Sequence, residues 1–192
     1  MIPRERGCVE PGVPRIFCHM ITLRDLAAWE SRVASIVGRA SGTLEERDRA
    51  LERAGLYAEY PAILSGYLAL LDDDSSAAEA LKRAVFLVWY SGVEPPVVSG
   101  IAELPEIEAR AVLDALDAVC RAEQADEELR WMLAWYHEVA DYALLRVPGL
   151  PAVETVIAES DPLAWKGATR EREQMEGRGL LGRYWLSLAS VD

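Results

Sequence analysis

Residues 126–146 read DEELRWMLAWYHEVADYALLR, and this stretch decides the fold. Asp126, Glu127 and Glu128 stand at its start and Arg146 at its end, the order a helix dipole favours. Leu129, Met132, Leu133, Tyr136, Ala140 and Ala143 recur at three- and four-residue spacing and share one face. Trp131, Trp135, Val139 and Tyr142 line a second face. Two apolar faces predict a central helix packed between neighbours. Pro148-Gly149-Leu150-Pro151 ends it, and a short helix to about Glu159 follows.

Helix signals continue on both sides. Thr22 with Asp25, Thr43 with Glu46 and Ser76 with Glu79 have capping-box spacing. Gly55 is placed as a helix stop, and Pro61 as a first helical residue. The helix after Ser76 carries an unbroken apolar run from Ala84 to Tyr90, so it is buried on more than one side. Pro95-Pro96 prevents its continuation. Pro105 opens a further helix with Val112, Leu113, Leu116, Val119 and Cys120 inward. Glu106, Arg110, Asp114, Asp117 and Arg121 fall on its outer face. Residues 168–190 start helix-compatible and are then broken by Gly177, Gly179 and Gly182. No strand-period stretch of useful length occurs. The expected fold is all-α: a compact bundle of about six to eight helices, with HEAT-like helix pairs as the alternative.

The 192 residues suffice for one domain, assigned to 21–192. Residues 1–20 hold Pro3, Pro11 and Pro14 and little periodicity, and read as an extended arm. They have no apolar core of a secretory signal. A membrane-spanning helix needs about 20 apolar residues, far more than the run at 84–90. Three cysteines are too few and too odd in number for a disulfide framework. A cytoplasmic setting is therefore expected. Asparagine is absent and lysine occurs only at Lys82 and Lys166, a bias that fits a GC-rich bacterial genome. Net charge is -12, with the acidic excess concentrated in residues 61–161. Nucleic acid and anionic membrane surfaces are disfavoured partners for such a chain.

Four constellations bear on chemistry. Gly177-Arg178-Gly179-Leu180-Leu181-Gly182 matches G-x-G-x-x-G, but a charged helical stretch precedes it where a dinucleotide site needs a strand. It reads as a glycine-broken turn. His137, Glu138 and Asp141 imitate a metalloprotease helix, with His137 and Asp141 one turn apart as ligands and Glu138 as base. Too few further ligands exist to complete that site, since the other histidine, His19, lies in the arm beside Cys18. Cys8, Cys18 and His19 fit no ordinary zinc spacing. No catalytic residue, metal or cofactor is assigned. Trp131 and Trp135 read as core rather than as a ligand platform. The segment Ser91–Leu104 is the loop with the most functional character, being long, rich in proline and glycine, and carrying Glu94.

Two functions are compatible with these features. The first is a non-enzymatic acidic interaction protein that binds a basic protein partner, such as an immunity or antitoxin protein neutralising a cationic toxin. Its expected contact residues are Asp72, Asp73, Asp74, Asp114, Asp117, Glu123, Asp126 and Glu127. The second is a metal- or carboxylate-dependent hydrolase using His137, Glu138 and Asp141. The first is preferred because catalytic motifs are missing. The plain alternative for the acidic residues is a solubilising coat. Composition does not fix the oligomeric state.

Overall fold

The computed structural model describes residues 21–144, 148–164, 166 and 172–189, and these form an all-α multi-helix bundle. The arm at 1–20, with Cys8, Cys18 and His19, lies outside the described residues, as does Arg146. Both threonine capping boxes form. Thr22 starts α1 (Leu23–Arg39) and Thr43 starts α2 (Leu44–Arg53), each exchanging hydrogen bonds with the acid three residues on. Gly55 adopts φ 69°, the left-handed conformation expected of a helix stop. A 3₁₀ turn at Leu56–Ala58 then leads into α3 (Glu59–Ala69). Pro61 therefore sits within the first turn, where its missing N–H costs no helical bond.

The third capping box does not form. Ser76 makes no side-chain cap to α4 (Ala77–Tyr90), and its hydroxyl donates to Asp73 Oδ2 at 2.6 Å. Glu79 is drawn instead into ion pairs with Arg83 and Arg178. A charged acceptor for two guanidinium groups outcompetes a cap exchange worth about 1 kcal/mol.

The centre of the molecule is α4, where every residue from Ala80 to Trp89 is buried. Helix α3, α6 (Glu106–Arg121) and α7 (Glu127–Leu144) pack against it, joined by α10 (Gly179–Leu188). The central position expected for α7 thus belongs to α4, whose apolar run covers its whole circumference. Helix α7 is a flank. Its first face is buried as expected, but its second is covered only at Trp131 and partly at Trp135. Val139 is 43% and Tyr142 63% exposed. Tyr142 lies beyond a kink: Ala140 has φ -160° and ψ 77°, so the last turn leaves the helix register.

Short helices complete the bundle. They are α5 (Pro96–Ser99), α8 (Pro151–Ala158) and α9 (Arg172–Met175). The glycine-rich C-terminal segment is a core helix where a broken turn was expected. Trp185 of α10 is fully buried, edge-on to Trp131 with ring centroids 4.6 Å apart. Tyr184 accepts a hydrogen bond from Trp135 Nε1 at 2.8 Å. Trp89 stacks on Tyr136 at 4.4 Å and donates to its carbonyl oxygen. Trp89, Trp131 and Trp185 are core and Trp135 is half-buried against them, as helical spacing suggests. Helix α10 also packs on α1, so the two ends of the described chain meet. That closure makes a bundle, not a stack of HEAT-like pairs, in which each pair touches only its neighbours. No helix among the described residues is long and apolar enough to cross a membrane.

Candidate functional site

Helix α4 has 14 residues and spans about 20 Å, so it separates the acidic positions into two groups. At its N-terminal end lie the junction before α4, with Asp72, Asp73 and Asp74, and the junction before α7, with Glu123, Asp126 and Glu127. Lys82, in the second turn of α4, joins that helix to the second junction by pairing with Asp126 at 2.6 Å and Glu128 at 2.5 Å.

Much of the negative charge at this end is engaged. Asp126 accepts from the Leu129 N–H at 2.8 Å and so starts α7. Asp73 accepts from the hydroxyls of Ser76 and Ser75, which hold its carboxyl below the ordinary aspartate range. Asp72, Asp74, Glu123 and Glu127 are exposed and form no ion pair among the described residues. Glu123 closes α6 with φ 57°, a left-handed conformation uncommon for a residue with a Cβ.

Asp117 is the clear correction. It was placed on the outer face of α6, but it is 3% exposed. Its Oδ1 accepts from the Ala152 N–H at 2.9 Å and, more weakly, from Val153 N–H, the free donors at the start of α8. Its other oxygen pairs with Arg121. The i,i+4 pair with Arg121 forms, but helix α8 packs over this side of α6 and buries the carboxylate.

Beneath the N-terminal end of α4 lies an ionic network that sequence reasoning missed. Arg178 pairs with Glu79 at 2.6 Å and with Glu128; Arg83 pairs with Glu79 at 2.6 Å. With Lys82 and Asp126 this makes three cations against three anions. Burial alone would raise the Glu128 carboxyl, yet hydrogen bonds and charge from Arg178 and Lys82 outweigh it and leave the group below its usual range. Burial likewise opposes the charge on Arg178, and the facing carboxylates outweigh it and hold its proton more tightly.

The G-x-G-x-x-G run belongs to this network. Gly177 and Gly179 have φ 75° and 63°, the left-handed region that favours glycine. A Cβ on Gly179 would overlap the Glu30 carboxylate. Glu30 Oε2 accepts from the Leu180 N–H at 2.5 Å, and Oε1 accepts from the Tyr67 hydroxyl at 3.0 Å. The N-terminus of α10 thus holds an anion, as glycine-rich helix starts do, but the anion is the protein's own side chain. Burial pushes the Glu30 carboxyl up to about 7, and the Leu180, Tyr67 and Arg83 contacts offset only part of that rise.

At the C-terminal end of α4 the arrangement is open. A groove of about 630 Å³ lies between Ser91, residues 102–104, the first turns of α6 and Pro148. Leu104, Ala109 and Leu113 supply apolar wall; Glu103, Glu106 and Arg110 supply polar wall. Glu103 and Glu106 form no ion pair among the described residues. Arg110 is spoken for by Asp114 at 2.8 Å, one turn further along the same stripe of α6. Beside the groove, Ile107 is 83% exposed. The loop singled out from the sequence forms part of this wall through Ala102, Glu103 and Leu104, while its Val97 and Ile101 are buried anchors.

His137 and Glu138 line a second groove, of about 360 Å³, with Glu154 of α8. Asp141 does not join them. The kink at Ala140 removes it from the turn above His137, and its carboxylate accepts from the Tyr142 N–H at 2.7 Å. The i,i+4 ligand geometry behind the hydrolase reading is therefore absent. Among the described residues no group of three or more His, Cys, Asp or Glu is placed to hold a metal ion. The thiol of Cys120 is raised to about 11, by burial first and Asp117 second, which suits a core residue rather than a nucleophile.

Comparison of the chain with protein-family models, with curated proteins and with solved structures finds no match.

Proposed function

We propose that this protein is a non-enzymatic, acidic interaction protein, and that the groove at the C-terminal end of α4 receives a basic segment of a protein partner. The observation that carries the reading is the pair Glu103 and Glu106, unneutralised on the wall of a 630 Å³ concavity. A cationic side chain entering there meets carboxylates on one side and apolar wall for its alkyl stem on the other. Exposed Ile107 adds apolar area at the edge. Asp72, Asp74, Asp114, Glu123 and Glu127 then serve as a longer-range field that speeds encounter with a cationic partner. Asp117 is buried and takes no part in this contact, while Asp126, though half exposed, already pairs with Lys82 and caps α7.

Within this reading, neutralisation of a cationic toxin, in a bacterial cytoplasm, is the finer form of the proposal. Wild-type protein on a column should retain a basic protein from host lysate, and the double variant Glu103→Lys/Glu106→Lys should not. Equal retention by both forms would remove the groove from the account.

A further inference from the structure

A third cavity, of about 290 Å³, has the opposite electrostatic character. It lies between the last turn of α1, α2, α5, the end of α4 and α10. Two arginines from different helices line it, Arg47 and Arg183. Neither forms an ion pair among the described residues, Arg47 being half-buried and Arg183 exposed, in a chain of net charge -12. Arg47 donates to the Val97 carbonyl at 3.3 Å, but its Nε is buried with no acceptor. A buried guanidinium donor without a partner is costly, and such groups in native proteins call for an explanation.

The remaining polar walls are donors. Tyr184 already accepts from Trp135 Nε1, so its own O–H is left to give. The Tyr90 hydroxyl makes no hydrogen bond among the described residues, and burial together with Glu94 pushes it up to about 12, so it keeps its proton. Ser99 is satisfied within its own loop. Two features oppose an anion here: Glu94, whose charge acts on both tyrosines, and the carbonyl end of α1. The second is partly met, since Ala40 N–H bonds the Val37 carbonyl at 3.1 Å. Two full positive charges outweigh these terms. Gly38 leaves the α1 side unfilled, because a Cβ there would meet nothing within 4 Å.

We propose that this cavity binds the phosphate group of a small ligand, with Arg47 and Arg183 as the charge partners and the Tyr90 and Tyr184 hydroxyls as donors. Arginine pairs suit tetrahedral oxyanions because each guanidinium offers a planar fork of donors. The site shares no lining residue with the acidic groove. The source is either inorganic phosphate or a small phosphate ester.

The test uses the full chain with two probes, inorganic phosphate and phenyl phosphate, and acetate as control, followed by ³¹P line broadening and thermal shift. Wild type should bind a phosphate probe at millimolar concentration or below. Preference for phenyl phosphate identifies an ester as the source, and preference for inorganic phosphate identifies the free ion. Arg183→Gln, at an exposed position, should weaken binding at least tenfold without altering the fold. Glu94→Gln should strengthen it several-fold. Gly38→Leu, which keeps both arginines, should abolish binding by occupying the space while leaving the melting temperature unchanged or higher. No phosphate binding by wild type, or binding that Arg183→Gln and Gly38→Leu leave unchanged, overturns the proposal.

Discussion

The two ends of α4 use the same residue types to opposite effect. At the N-terminal end, carboxylates from α4 and α7 turn inward and meet Lys82, Arg83 and Arg178, and the charges cancel. At the C-terminal end, Glu103 and Glu106 face a concavity whose one arginine, Arg110, is paired with Asp114. A buried carboxylate must be paired or protonated, whereas one on a groove wall retains water and is open to an outside partner. An acidic sequence therefore says little about where negative charge is presented. The position of the few basic residues decides it.

The largest effect expected from this contrast is at Arg178. Arg178→Ala removes the shared partner of Glu79 and Glu128 and should cost about 3–5 kcal/mol, the usual range for breaking a buried pair by deleting one side. Urea unfolding measures this, and a loss below about 1 kcal/mol would mean the network is solvated and the contrast false.

Glu30 supplies a pH signature of the same region. Its carboxyl titrates near 7 in the fold against 4.5 for the ordinary group, so between those values the folded state binds more protons than the unfolded one. Its stabilising contribution is complete below about pH 4.5 and is lost as pH rises to about 7. The loss amounts to at most about 3 kcal/mol. Glu128 has the opposite sign, because its lowered carboxyl favours the fold above the ordinary range and loses that contribution as pH falls. The difference between wild type and Glu30→Gln isolates the first effect: stability of the variant should decline less from pH 4.5 to 7. Parallel profiles would show that Glu30 is ionised throughout.

Asp117→Ala should cost about 1–2 kcal/mol, chiefly as a lost helix cap for α8. At the open end the expectation is smallest. Glu103→Lys/Glu106→Lys should shift stability by no more than about 0.5 kcal/mol, as exposed substitutions usually do. A large loss would show that the groove carboxylates have structural duties after all.

The all-helical class and most helix limits were legible, because capping boxes and 3.6-residue periods are local signals. Thr22, Thr43, Gly55 and the apolar run at 84–90 each did in the structure what their chemistry demands. Positions that depend on a distant partner were not legible. Ser76 with Glu79 has the same local pattern as Thr43 with Glu46, yet Arg178, far along the chain, claims Glu79. Asp117 looked like Asp114, and only the packing of α8 distinguishes them. Two clues to the network did exist in the sequence. Lys82-Arg83 stands inside an otherwise apolar helix and must find carboxylates, and Arg178 sits between glycines that permit its close approach. The groove combines three separate segments and left only its loop visible in advance.

The central claim is that the groove end, not the neutralised end, meets a basic partner. Its most direct test is the association rate of the captured basic partner at several salt concentrations, for wild type, Glu103→Lys/Glu106→Lys and Asp72→Lys/Asp74→Lys. The account predicts a rate that falls with salt for wild type, and a fall of about tenfold or more for the groove variant at low salt. The junction variant should show a much smaller change, because those residues contribute only to the distant field. Equal slowing by both variants, or no slowing by the groove variant, would contradict the account and leave the acidic surface as a solubilising coat.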